Sequence, residues 1–221
     1  MSIVEERTVT TPRTAGPSRF AGIGFAVLWL VGMVPMATGP MIYEGGTLSE
    51  YADAYADGSR SNLMATAALL LWPLAAAMLL WSVVHLTTTL AAACTGSPVP
   101  GRIARLAAGV IGAGLVVAAA AGGAAGHVAS GTGDFPAMIE SGYALDMLSS
   151  QVWAASMSVG AVLLVALIVA ARGSGALPRW ILWAGAVIVV AVPFGVAIFM
   201  LPTLFFVVWL AVATALVKPT P

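Results

Sequence analysis

The sequence predicts an all-α membrane protein, a polytopic transmembrane bundle of six helices with both termini cytoplasmic. Three observations carry that expectation. Sixty per cent of the residues are hydrophobic and only 8% charged, and the mean hydropathy is +0.99. Apolar runs recur along all 221 residues, more than one soluble core could hide. The basic residues also cluster between alternate runs, as the positive-inside rule requires of short cytoplasmic loops.

Residues 1–19 are polar and rich in Thr and Pro, and read as a disordered cytoplasmic tail whose Arg7, Arg13 and Arg19 lead into the first span. The apolar run that follows is too long for the core of a signal peptide, and no A-x-A-like site succeeds it. An uncleaved first helix is expected. Crossing ~30 Å of hydrocarbon at ~1.5 Å per residue takes roughly 20 residues, and the runs 20–42, 62–90, 106–129 and 150–171 each suffice. The stretch 180–217 carries no charge, is too long for one span, and contains Pro193 and Pro202. It reads as two spans, 180–200 and 202–217, joined by a tight turn near residues 200–203, with 218–221 as a cytoplasmic tail.

This topology places Arg7, Arg13, Arg19, Arg102, Arg105, Arg172, Arg179 and Lys218 inside, leaving Arg60 as the one basic residue of nine outside. The outer loops hold Glu44, Glu50, Asp53, Asp57, Asp134, Glu140 and Asp146. Acids contribute little to orientation, so the bases are the evidence and the acids merely agree.

The first outer loop, "TLSEYADAYADG", predicts a short surface helix over 48–57. Thr47 and Glu50 have capping-box spacing, and Gly58 suits a helix stop. Glu50, Asp53 and Asp57 would then share one face as a weak candidate cation cluster, although a solvated acidic face is the commoner outcome of such a pattern. Tyr51 and Tyr55 would share another face, suited to the headgroup region. In the second loop, Met138, Ile139, Gly142 and Leu145 predict a segment lying along the membrane interface. "PMIYEGG" and "PAMIESG" echo each other across the two loops, which chance explains more readily than an ancient hairpin duplication.

The six spans contain no Asp, Glu, Lys or Arg, the residues that mark ion and proton paths in membranes. His85 and His127 fall near opposite membrane surfaces, too far apart to hold one haem or metal together, so no cofactor and no metal are expected. Cys94 is the sole cysteine, which excludes an intrachain disulfide; a small apolar filler is its expected role. The sequence shows no G-x-S-x-G, H-E-x-x-H, C-x-x-C or P-loop pattern, so no catalytic residue is assigned.

Gly114, Ala118, Gly122 and Gly126 recur every fourth residue in the third span. They predict one face of small side chains and close helix contact, within the chain or in a homo-oligomer. Pro35, Pro73 and Pro193 should kink their spans.

The ending, "RGSGALPRWILWAG" followed by "LPTLFFVVWLAVATALV", with Arg172, Pro178, Arg179, Trp180, Pro202 and Trp209 as markers, resembles small six-helix integral membrane proteins of actinobacteria and related bacteria. That resemblance implies the topology and carries no catalytic residue across. The expected protein is therefore a multi-pass component of the cell membrane. It would act as a non-enzymatic scaffold, accessory or sensory element in contact with lipid and with a membrane-protein partner or a second copy of itself, with no nucleic acid. The alternative is a carrier or permeation path for a hydrophobic or lipid-like solute.

Overall fold

The computed structural model describes residues 17–37, 48–55, 58–93, 96–130, 136–192 and 201–218. Those residues are all-α. A single 3-10 turn at Pro17–Phe20 leads into α1 (Ala21–Ala37), followed by α2 (Leu48–Tyr55) and α3 (Ser59–Thr66). A π-helical turn at Ala67–Leu71 joins α3 to α4 (Trp72–Ala93). There follow α5 (Val99–Ser130), α6 (Pro136–Ser158), α7 (Gly160–Ala171), α8 (Arg179–Ala191) and α9 (Leu201–Leu216).

Among the described residues, four stretches are long and apolar enough to cross a membrane: Ser18–Pro35, Ser59–Ala93, Val99–Val128 and Ile139–Ala171. The last three extend past the runs expected at 62–90, 106–129 and 150–171, because the polar residues flanking each run continue the helix instead of ending it. The helices Arg179–Ala191 and Leu201–Leu216 are apolar but shorter. The turn expected near 200–203 lies partly outside the described residues, and Pro202 and Thr203 fall in the first turn of α9.

Helix α5 is central and packs against α2, α3, α4, α6, α7 and the π-turn. Its buried positions Ala104, Ala108, Ile111, Leu115 and Ala118 alternate steps of four and three, and so do Leu79, Val83, Leu86 and Leu90 on α4. That spacing keeps one stripe of each helix facing its neighbour along the whole contact. On α4 the stripe holds β-branched and Leu side chains; on α5 it is largely alanine, which brings the two backbones close.

Large apolar side chains cover the outside. Leu69, Leu106, Trp183 and Val187 are 70% exposed or more. In water such a belt would drive aggregation, whereas in lipid it is the solvent-matched surface.

The two ends of the bundle differ in charge. Gly22, in the first turn of α1, packs against Thr214 near the end of α9, and the Lys218 amide donates to the Ala176 carbonyl in the α7–α8 turn at 3.0 Å. Arg105 on α5 reaches back to Thr87 on α4. Arg19, Arg102, Arg105, Arg172, Arg179 and Lys218 therefore gather at one end, which we call the basic end. Glu50, Asp53, Glu140 and Asp146 lie toward the other, with Arg60 the one described base among them.

Two expectations about the loops need correction. Residues 138–145 form no separate helix: they belong to the first turns of α6, and from Ile139 on they lie within the fourth candidate span. The short helix of the first loop does form, but Tyr51 and Tyr55 do not sit among headgroups. They are 1% and 0% exposed, turned inward against α5 and α6. The helix is amphipathic as read, but protein covers the tyrosine face where lipid was expected.

Candidate functional site

The small-residue face of α5 is where α6 and α3 come closest. A Cβ added at Gly114 would lie 2.6 Å from the Ser156 Cβ, and one at Gly122 would lie 3.1 Å from Ser149 Oγ and 3.2 Å from the Met64 methyl. At Gly126 it would meet Ser61 and a Tyr55 ring carbon, each at 3.4 Å. Ala118 is buried, and its carbonyl accepts a 2.6 Å hydrogen bond from the Ser149 hydroxyl. In an apolar medium, close approach of this kind supplies van der Waals contact and lets a short serine bridge two helices.

At the acidic end this face opens onto a polar cluster. Gly58, at φ 70°, adopts the left-handed conformation that glycine tolerates, so α2 can stop and α3 can start in a new direction. The reversal carries Tyr51 and Tyr55 to the bundle and brings Arg60 back over the Tyr55 ring, 5.1 Å from its centroid. The Tyr51 ring lies 5.0 Å from that of Tyr55, tilted by 53°, and meets Tyr143 of α6 edge-on at 5.7 Å. One helical turn beyond Tyr143, Asp146 is 9% exposed and within electrostatic reach of Arg60 and both buried tyrosines.

Burial, reinforced by Tyr55 and by the charge on Asp146, holds the Tyr51 phenol well above its ordinary value of 10.0. Burial and then Asp146 do the same to Tyr55, against the opposing pull of Arg60. Both tyrosines are therefore neutral across the physiological range. The two phenols lie within hydrogen-bonding reach of each other, and Tyr55 of Arg60, but neither hydroxyl nor Arg60 Nε makes a well-aligned bond.

Deeper in the bundle, a narrow recess is lined by Gly32, Met64, Ala67, Trp72, Ser149 and Trp153, among others. It has room for about one water molecule. The π-turn forms one wall. Trp153 packs on Trp29 of α1 with ring centroids 6.2 Å apart, and both indole N–H groups are buried without an acceptor.

Glu50 and Asp53 are exposed on the outer face of α2, and Asp57 lies outside the described residues. No group of three or more His, Cys, Asp or Glu side chains is placed to hold a metal ion among the described residues. His85 on α4 and His127 near the end of α5 stand toward opposite ends of the bundle, and Cys94 lies outside the described residues.

Sequence reasoning missed the Trp29–Trp153 pair and treated Asp146 as a loop acid. One signal was available for the cluster: Arg60, the single base that broke the charge pattern, is the residue that neighbours Tyr55 and Asp146. Comparison with protein-family models, with curated proteins and with solved structures finds no match to this chain.

Proposed function

We propose that this chain is a multi-pass component of the cell membrane with six spans and cytoplasmic termini, of the kind its C-terminal half resembles. It serves as a non-enzymatic accessory or sensory element. The basic end faces the cytoplasm and the acidic end faces outward, in line with the positive-inside rule.

The observation that carries this reading is the way α2 is held. Complete burial of Tyr51 and Tyr55 fixes the helix to the outer end of the bundle, while Leu48, Glu50 and Asp53 remain exposed on its other face. A rigidly mounted acidic helix above a lipid-facing bundle is a platform for a membrane-protein partner. Purification from native membranes in mild detergent, followed by native mass spectrometry, tests it. A stoichiometric partner lost on Glu50→Lys/Asp53→Lys substitution is the expected result; recovery of the chain alone would remove the platform.

A carrier for a lipid-like solute is the second reading, and the recess beside Trp153 and the π-turn favours it. Bound lipid without a protein partner in the same experiment would select that reading.

A further inference from the structure

Several hydroxyls inside the candidate spans turn back on backbone carbonyls. Thr66 donates to the Asn62 carbonyl at 2.8 Å, Thr88 to Val84 at 2.8 Å and Ser158 to Ala154 at 3.0 Å, while Ser149 bonds across to Ala118. Gln151 on α6 differs. It is exposed, and its amide makes no hydrogen bond among the described residues.

Its depth makes that costly. Ala155 is the midpoint of the fourth candidate span, Ile139–Ala171, and the adjoining Ser156 packs against Gly114 near the midpoint of the third, so two helices agree on where mid-membrane lies. Gln151 is four residues from Ala155, about 6 Å at ~1.5 Å per residue, well inside the ~15 Å half-thickness of the hydrocarbon. Headgroups and water are beyond the reach of a side chain that short. An amide turned to lipid at this depth finds a donor and an acceptor only on another protein surface.

The face that carries Gln151 has the spacing of a helix–helix seam. Ser141, Ala144, Leu148, Gln151 and Ala155 are all exposed and alternate steps of three and four, and the period continues on α7 through Val162 and Val165. Alanines on either side of Gln151 let a second backbone come close. The seam lies away from α5, which α6 meets through Ser149 and Ser156. The small-residue face of α5 is thus used up within the chain, and the α6 seam is left open.

We propose that this seam is the interface of a homodimer, in which Gln151 of each copy hydrogen-bonds Gln151 of the other across a twofold axis along the membrane normal. Two features make the occupant a second copy. A carboxamide both donates and accepts, so it complements itself. All copies also share one orientation in the membrane, which brings two identical seams together in parallel with their amides at the same depth. The seam positions carry no charge that would repel a copy. The interface goes beyond the accessory reading: it needs α6 to cross the membrane but does not need α2 to hold a partner.

Two measurements on the full chain test it. In native membranes and a Cys94→Ser background, Leu148→Cys and Ala155→Cys should form disulfide-linked dimers on mild oxidation. Val117→Cys, 55% exposed at similar depth on α5, should not. In detergent, energy transfer between labelled copies should give a dimer dissociation constant that rises on the order of tenfold in Gln151→Leu and stays within about threefold of wild type in Gln151→Asn. Leucine keeps the surface apolar, so the change isolates the amide. The proposal is overturned by a wild-type chain that stays monomeric in both measurements, by crosslinking at Val117 as efficient as at the seam, or by an unchanged constant in Gln151→Leu. Seam cysteines that crosslink only to a different protein would also overturn it. So would a lower unfolding midpoint of the Gln151→Leu monomer, because the amide would then be bonded within its own chain.

Discussion

Ser149 on α6 donates a 2.6 Å hydrogen bond to the carbonyl of Ala118 on α5, joining the two helices at the midpoint of the small-residue face. A hydroxyl can reach that carbonyl only because Gly122, one turn away, leaves the space open. Replacing Ser149 with Ala removes the donor and leaves the carbonyl its own helical partner. The expected loss is about 0.5–1.5 kcal/mol, read as a lower midpoint of chemical or thermal unfolding in detergent.

Glycine replacements on α5 should rank by the space each Cβ meets. Gly114→Ala collides with Ser156 and should be the worst, while Gly122→Ala presses on Ser149 and Met64 and should be milder. Gly109 faces nothing within 4 Å, so Gly109→Ala should match or exceed wild-type stability, by up to about 1 kcal/mol from helix propensity. Gly122→Leu should cost about 1–3 kcal/mol by overpacking, whereas Val116→Leu, 39% exposed, should be near neutral. Equal unfolding midpoints for the Gly114 and Gly109 variants would contradict the packing described.

The tyrosine pair predicts a loss of stability in alkali. Both phenols have folded-state values raised above the ordinary 10.0, so above pH 10 the unfolded chain ionises while the folded chain keeps its protons. Stability is therefore intact below pH 10 and falls as pH rises beyond it, by up to about 1.4 kcal/mol per pH unit for each tyrosine. Tyr51→Phe/Tyr55→Phe should abolish that slope and stay within about 1 kcal/mol of wild type at pH 7, since the hydroxyls it removes make no well-aligned bond. An unchanged alkaline midpoint in the double mutant would rule out the pair as the source.

Arg60 and Asp146 should show energetic coupling. In a double-mutant cycle of Arg60→Gln and Asp146→Asn, either single change leaves the other charge in a buried cluster without its electrostatic counterpart. The double change should be less harmful than the sum, by about 0.5–3 kcal/mol. Strict additivity of the unfolding free energies would mean the two charges do not interact.

In a Cys94→Ser background, a cysteine at Asp53 should react with a membrane-impermeant thiol reagent in intact cells, and one at Ser97 should react only after lysis. Both positions are exposed, so accessibility reports sidedness and not burial. Labelling of Ser97→Cys alone would invert the orientation.

Much of this architecture was legible because lipid imposes a crude code. Apolar length marks helices, and the placement of arginines separates one end from the other. The small-residue period on α5 was legible as a face for close helix contact, but not which helix or copy would meet it; α6 packs there, with Ser149 and Ser156 short enough to fit. What the code missed depends on tertiary direction. Ile139 to Leu145 form the same one-sided pattern whether they lie along an interface or begin a span, and the difference is whether the chain bends before residue 150. Tyr51 and Tyr55 form the same stripe whether lipid or protein covers it. The Trp29–Trp153 contact joins residues far apart in the chain, and no local period announces it.

The π-turn at Ala67–Leu71 bears on how this span tolerates changes in its length. Buried positions along α3 and α4 run 61, 64, 67, then 72, 75, 76 and 79, so the step of five across the turn absorbs one residue beyond the helical repeat. Leu69 and Leu70, within that step, point away from the bundle. Removing one of them would convert the turn to ordinary α-helix while keeping Met64 and Trp72 on the inward face. The second candidate span thus carries a built-in register spacer, a place within the helix where one residue can be lost without unthreading the core on either side.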